Sequence, residues 1–105
     1  MAFNLIFTEQ YTIRAARFLK CHPELRTQYL KTLQLLEANP HHPLLRLHAL
    51  CGILAGLYSV SINISYRIIL ELIIQNDEII PVNVGDPIRF TKSLYSKMHS
   101  LGRGE

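Results

Sequence analysis

A chain of 105 residues, 49% hydrophobic and 18% charged, fits a single domain over residues 1–105 whose core needs neither disulfides nor a metal to hold it together. The formal charge of +3 and a pI near 9.1 admit a polyanion or an acidic protein as partner and demand neither. Apolar runs stop well short of the roughly 18 residues of a membrane helix, and Met1-Ala2-Phe3-Asn4 has no basic start or long apolar stretch, so neither a membrane span nor a secretory leader is expected.

Phe3 to Phe7 (FNLIF) is a short run rich in strand formers, and Thr8-Glu9 follows it as a helix start. The spacing predicts a first helix from Glu9 to Lys20, with Tyr11, Ala15, Phe18 and Leu19 on one face and Arg14 and Arg17 along a basic edge. Cys21-His22-Pro23-Glu24 breaks this helix and starts the next; Pro23 sits in the first turn, where its missing N–H does no harm. The second helix, about Pro23 to Glu37, carries Leu25, Tyr29, Leu33 and Leu36 as an apolar stripe and ends at Asn39-Pro40. Two amphipathic helices on a short link predict an antiparallel helical hairpin.

After a loop rich in His and Pro, the period changes from 3.6 to 2. Tyr58, Val60, Ile62 and Ile64 alternate with Ser59, Ser61 and Asn63, which describes a half-buried strand with the serines on its surface. Ile68, Leu70, Leu72 and Ile74 mark the inner face of the next strand, and Gln75-Asn76-Asp77-Glu78 is a polar hairpin turn. Ile79 to Val84 forms the last strand; Pro81 within it predicts an edge position or a bulge, and Gly85-Asp86-Pro87 stops it. Leu94, Met98 and Leu101 recur at helical spacing, so a short C-terminal helix is expected. The order β-α-α-β-β-β gives an α+β domain in which the helical hairpin covers one face of an antiparallel sheet.

Residues 41–72 hold most of the chemistry. His41-His42-Pro43 opens the stretch, Gly52 and Gly56 turn it, and Arg67 begins a core strand among apolar neighbours with no adjacent carboxylate. Burying a cation alone is costly, so Arg67 is expected to have a partner or a ligand. His41, His42 and His48 fit no usual metal-ligand spacing, and no metal or other cofactor is expected. Cys21 and Cys51 form no Cys-x-x-Cys pair, which reads as two reduced thiols in a cytoplasmic protein.

With these residues in view, the chain resembles the RelE/ParE-like toxins of bacterial type II toxin–antitoxin systems, and within them the YafQ-type branch. The likeness runs over nearly the whole chain: Phe7-Thr8, Leu35-Leu36-Glu37 with Asn39-Pro40, His42-Pro43-x-Leu45-x-x-His48-x-Leu50-x-Gly52-x-Leu54-x-Gly56-x-x-Ser59, Tyr66-Arg67-Ile68 and Val82-Asn83-Val84-Gly85. The resemblance implies a helical hairpin on an antiparallel sheet. It also implies metal-independent cleavage of mRNA on the ribosome, with the RNA 2′-hydroxyl as nucleophile. Such chemistry needs a base for that hydroxyl, a cation for the phosphate and an acid for the leaving oxygen. By position, His48 matches the acid/base site and Arg67 the phosphate-binding arginine. Arg46 and Arg89 are expected to add charge along the RNA, and Phe90 to stack on a base.

At the end of the pattern the chain departs from its relatives, which continue as Gly-Thr-His-Asp-x-x-Tyr/Phe where this chain reads Gly85-Asp86-Pro87-Ile88-Arg89-Phe90. Pro87 takes the place of a catalytic histidine, and Cys51 replaces a lysine often found before the first glycine. Three readings follow: an mRNA endoribonuclease, a non-catalytic toxin of the gyrase-inhibiting kind, and a decayed toxin that binds only its antitoxin. The implied partners are a cognate antitoxin that folds on binding, the ribosome and mRNA, with no membrane, and the implied assembly is a homodimer or a toxin–antitoxin hetero-oligomer.

Overall fold

A computed structural model describes residues 2–86. The expected C-terminal helix over Leu94, Met98 and Leu101 lies outside these residues, as do Pro87, Arg89 and Phe90. The elements in chain order are β1 (Asn4–Leu5), α1 (Glu9–Cys21), α2 (Arg26–Ala38), β2 (His48–Ala49), β3 (Tyr58–Ser61), β4 (Arg67–Ile73) and β5 (Glu78–Gly85).

The helices form where their ends are satisfied. Thr8 caps α1 by accepting the Tyr11 N–H at 3.1 Å, with Glu9 in the first turn and Lys20 in the last, as the helix dipole favours. Pro23–Leu25 makes a 3₁₀ turn that leads into α2, and α2 ends on an extended Asn39, the conformation that a following proline imposes. The apolar stripes face inward: Tyr11, Ala15 and Phe18 from α1 and Tyr29 and Leu36 from α2 are buried. The hydroxyls of Tyr11 and Tyr29 meet at 2.7 Å between the helices, so two buried phenols satisfy each other. Burial pushes the pKa of both up from the ordinary tyrosine value. Thr32, also buried, donates its hydroxyl to the Gln28 carbonyl one turn back at 2.8 Å.

The sheet has five strands in the order β1-β5-β4-β3-β2. Three pairings are antiparallel, but β1 runs parallel to β5, so the sheet is mixed where the sequence predicted an antiparallel one. The reason is connectivity: β1 reaches the sheet before the helical hairpin and joins its far side through a long crossover, which parallel pairing requires. The Phe3–Phe7 run shortens to two paired residues because the Phe3 N–H bonds the Glu37 carbonyl of α2 at 2.7 Å instead of a strand. The fifth strand, β2, is also two residues long, too short to carry a period in sequence.

Register assigns the two faces. Val60, Ile68, Leu70, Ile79 and Val84 join the buried helix residues in the main core. The alternate set, His48, Ser59, Ser61, Arg67, Ile69, Asn83 and Gly85, shares the opposite face through the pairs His48↔Ser59, Ser59↔Ile69, Ser61↔Arg67, Ile69↔Asn83 and Arg67↔Gly85. Pro81 sits at an irregularity: Ile69 faces Asn83 while Leu70 faces Pro81, which leaves Val82 as an extra residue. The Val82 carbonyl accepts Arg14 Nη1 at 3.0 Å, so Arg14 on the basic edge of α1 ties that helix to the bulge.

Two inner positions from the sequence pattern turn outward. Ile64 is 97% exposed because β3 stops at Ser61, and Asn63 Oδ1 takes the N–H groups of Ser65 and Tyr66 at 2.9 and 2.8 Å to form a turn. Ile74 leaves the strand for a 3₁₀ turn over Ile74–Asn76 and is exposed.

Candidate functional site

Arg67 is the first residue of β4 and half-buried, and three of its contacts define the site. Its Nε donates to Ser59 Oγ on the neighbouring strand. Its Nη2 donates to the Arg46 carbonyl at 3.3 Å and lies 3.2 Å from His48 Nδ1. The loop that supplies two of these acceptors is anchored by Leu45, which is fully buried at the end of a 3₁₀ turn over Pro43–Leu45. Arg46 then takes φ 49° and ψ 49°, the left-handed region, at a cost of about 1–2 kcal/mol for a residue with a Cβ. That turn sends the chain from the buried Leu45 into β2 and presents the Arg46 carbonyl to Arg67. Farther on, Gly52 and Gly56 at φ +68° and +96° fold the chain back into β3, values that residues with side chains rarely adopt.

The cation at Arg67 is therefore held by a hydroxyl, a carbonyl and an imidazole rather than by a carboxylate. Burial first, and the Arg46 cation second, push its pKa down from the ordinary arginine value. None of the contacts of Arg67 with described residues is to a carboxylate, and such a cation suits an anion.

His48 Nδ1 faces two groups with opposite demands. It lies 3.3 Å from the Arg46 carbonyl, which can only accept, and 3.2 Å from Arg67 Nη2, which can only donate. With the proton on Nδ1 the ring donates to Arg46, and Nε2 carries a free lone pair, the arrangement of a base. With the proton on Nε2 the ring accepts from Arg67 and becomes a donor outward, the arrangement of an acid. The cluster thus combines an exposed acid/base group with a half-buried cation on one face of the sheet.

No protein-family model matches this sequence, and no curated protein matches it either. Solved structures do match. A YoeB/ParE toxin from Agrobacterium tumefaciens aligns with TM-score 0.64 at 13% identity, over 80% of this chain and 98% of its own. The DinJ–YafQ toxin–antitoxin complex from E. coli gives TM-score 0.64 at 14% identity, over 82% of this chain and 93% of the matched one. The YoeB–YefM complex from Staphylococcus aureus gives 0.61 at 18% identity, over 80% and 95%. The chain has the RelE/ParE-type toxin fold. No helix among its described residues is long and apolar enough to cross a membrane.

Within this RelE/ParE-type fold, the sequence-predicted residues separate into three groups. His48, Arg67 and the Arg46 backbone come together as described. The Arg46 side chain is exposed and acts on Arg67 through charge, while its carbonyl makes the direct contact. Arg89 and Phe90 lie outside the described residues. His42 Nδ1 accepts the Leu44 N–H at 3.1 Å and so caps the loop turn, and no group of three or more metal-ligating side chains occurs among the described residues. Cys21 and Cys51 are exposed free thiols.

Ser59 is the residue that sequence reading misplaced. It is 1% exposed, on the face that carries Arg67, and its hydroxyl serves the guanidinium. The alternation holds, but Ser59 lies on an interior strand opposite the buried Ile69, so its position is covered while Ser61 is only half-buried. A groove of about 890 Å³ also opens between Arg14, Arg17, Phe18 and His22 of the helical side and Tyr66 and Asn83 to Asp86, beside the Arg67↔Gly85 pair. None of Arg46, His48 and Arg67 lines it, and their chemistry is the better guide to the site.

Proposed function

We propose that this protein is the toxin of a type II toxin–antitoxin pair and a metal-independent, ribosome-dependent mRNA endoribonuclease that works in the cytoplasm. One observation carries the reading: in a RelE/ParE-type fold, an arginine with no carboxylate among its contacts with described residues and an ambivalent histidine share one sheet face within hydrogen-bond distance. Arg67 holds the scissile phosphate through the two N–H groups of Nη1, which have no partner among the described residues, and stabilises the charge that builds on its oxygens. His48, donating Nδ1–H to the Arg46 carbonyl, takes the 2′-hydroxyl proton at Nε2. The 2′-oxygen attacks phosphorus, the 5′-oxygen leaves on the opposite side with a proton from water, and the products are a 2′,3′-cyclic phosphate and a 5′-hydroxyl. Arg46 and Arg89 extend the cationic surface along the RNA, and Phe90 stacks on a base.

The matched YoeB–YefM and DinJ–YafQ structures are toxin–antitoxin complexes, which supports an antitoxin as partner here. Pro87, where relatives carry a catalytic histidine, favours a second reading: the same cluster grips a polyanion and blocks its target without cutting. In-vitro translation with added protein, followed by primer extension on the mRNA, separates the two. Ribosome-dependent cuts that fall sharply, to a measurable residual level, in His48→Ala and Arg67→Ala are expected. Translation blocked without any cut would replace the nuclease with a binding inhibitor.

A further inference from the structure

Ser59 and Thr32 are the buried polar residues among those described, and they differ in what their hydroxyls serve. Thr32 bonds its own helix, whereas Ser59 Oγ accepts from the side chain of Arg67 on the next strand. A hydroxyl in the centre of a covered strand is unfavourable unless bonded, and alanine would fill nearly the same space without that liability. Register explains the contact. Arg67 lies directly opposite Ser61, so its side chain runs diagonally across the sheet to reach Ser59. Ser59 in turn lies directly opposite His48 on β2, which puts it between the two candidate catalytic side chains.

We infer that Ser59 is a positioning residue: by holding Nε it fixes the plane of the Arg67 guanidinium, keeping Nη2 on the loop carbonyl and histidine and turning Nη1 toward an incoming phosphate. Nε is the root of the fork, so a bond there restrains both terminal nitrogens at once. Without it the guanidinium is held only through Nη2, and its plane is no longer fixed. Ser59 touches no substrate in this arrangement, and its effect on cleavage rests on the nuclease reading above.

Two measurements on the full-length protein test this. The first is the exchange rate of the Arg67 Nε–H by NMR, which needs no activity: slow exchange is expected in the wild type and exchange at least about tenfold faster in Ser59→Ala, since a bond from a charged donor is lost. The second is ribosome-dependent cleavage by Ser59→Ala, Arg67→Ala and the double variant. Ser59→Ala is expected to lower kcat about tenfold or more while KM moves by less than about threefold, because the phosphate contact strengthens in the transition state. In the Arg67→Ala background the serine change is expected to cost nothing further. Ser59→Cys, close in size but a poor acceptor, is expected to behave as Ser59→Ala and serves if the alanine variant does not fold.

Unchanged exchange and unchanged kcat in Ser59→Ala would overturn the assignment. An equal loss in both arginine backgrounds would also overturn it, since that is the mark of packing alone. If the wild type cuts no mRNA, the nuclease reading fails, while the positioning role stands or falls on the Nε–H exchange.

Discussion

Arg67 carries five N–H donors: Nε reaches Ser59, and Nη2 reaches the Arg46 carbonyl and, in the tautomer protonated at Nε2, also His48 Nδ1. A lysine at this position keeps the charge but has neither the fork nor the reach for three acceptors in different directions. Arg67→Lys is therefore expected to retain the fold and lose at least about tenfold in cleavage, measured as the rate of ribosome-dependent cuts; wild-type rates would mean that the charge alone suffices. Arg46 separates differently, because its backbone strain and its charge lie in one residue. Arg46→Gly relieves the left-handed φ and is expected to raise stability by about 0.5 kcal/mol by urea unfolding, the strain relief being partly offset by a more flexible unfolded chain. The same variant removes the second cation near the phosphate, so RNA binding is expected to weaken. A loss of stability instead would mean that the Arg46 side chain has a structural contact that outweighs its strain.

At the level of elements, the helical hairpin was legible because its signals are local. Thr8 at the cap, Pro23 in a first turn and stripes at helical spacing are properties of neighbouring residues, and the buried set Tyr11, Ala15, Phe18, Tyr29 and Leu36 follows from them. The sheet was legible only in its long strands. A two-residue β1 and β2 leave no period, and parallel pairing of β1 with β5 is a fact of topology that no local pattern encodes. The site divides the same way: Arg67 stood out as a lone charge, but the value of Ser59 depends on a diagonal contact between strands. The hairpin also carries a pH dependence. The folded state keeps Tyr11 and Tyr29 protonated with pKa values raised by burial, so it binds more protons than the unfolded chain once pH exceeds the ordinary tyrosine value of about 10. Stability is then fully present below about pH 10 and falls as pH rises above it, by up to about 1.4 kcal/mol per unit for each tyrosine. Urea unfolding between pH 8 and 11 measures this, and Tyr11→Phe is expected to flatten the alkaline slope while costing about 1–3 kcal/mol at neutral pH by stranding the Tyr29 hydroxyl. A slope unchanged in Tyr11→Phe would assign the alkaline loss elsewhere.

Over the whole molecule, the distribution of compensated charge matters more than the modest excess of +3. Among pairs of described residues the one His–carboxylate or cation–carboxylate contact is His22 with Glu24 at 3.8 Å, and the contacts of Arg67 with described residues are to Ser59, Arg46 and His48. Arg46 and Arg67 on a face that takes single-stranded RNA release about two condensed counterions on binding and so contribute about −1.4 to the salt slope on logarithmic axes. Raising salt from about 50 to about 200 mM is then expected to weaken binding of a short single-stranded RNA at least roughly sevenfold, with the slope shallower by about 0.7 in Arg46→Ala. An acidic antitoxin segment would meet the same two charges, and RNA and antitoxin would compete for them. Fluorescence anisotropy with a labelled RNA measures both quantities. A slope near zero would remove Arg46 and Arg67 from the RNA path, and a steep slope unchanged in Arg46→Ala would shift the contact to the arginines of α1.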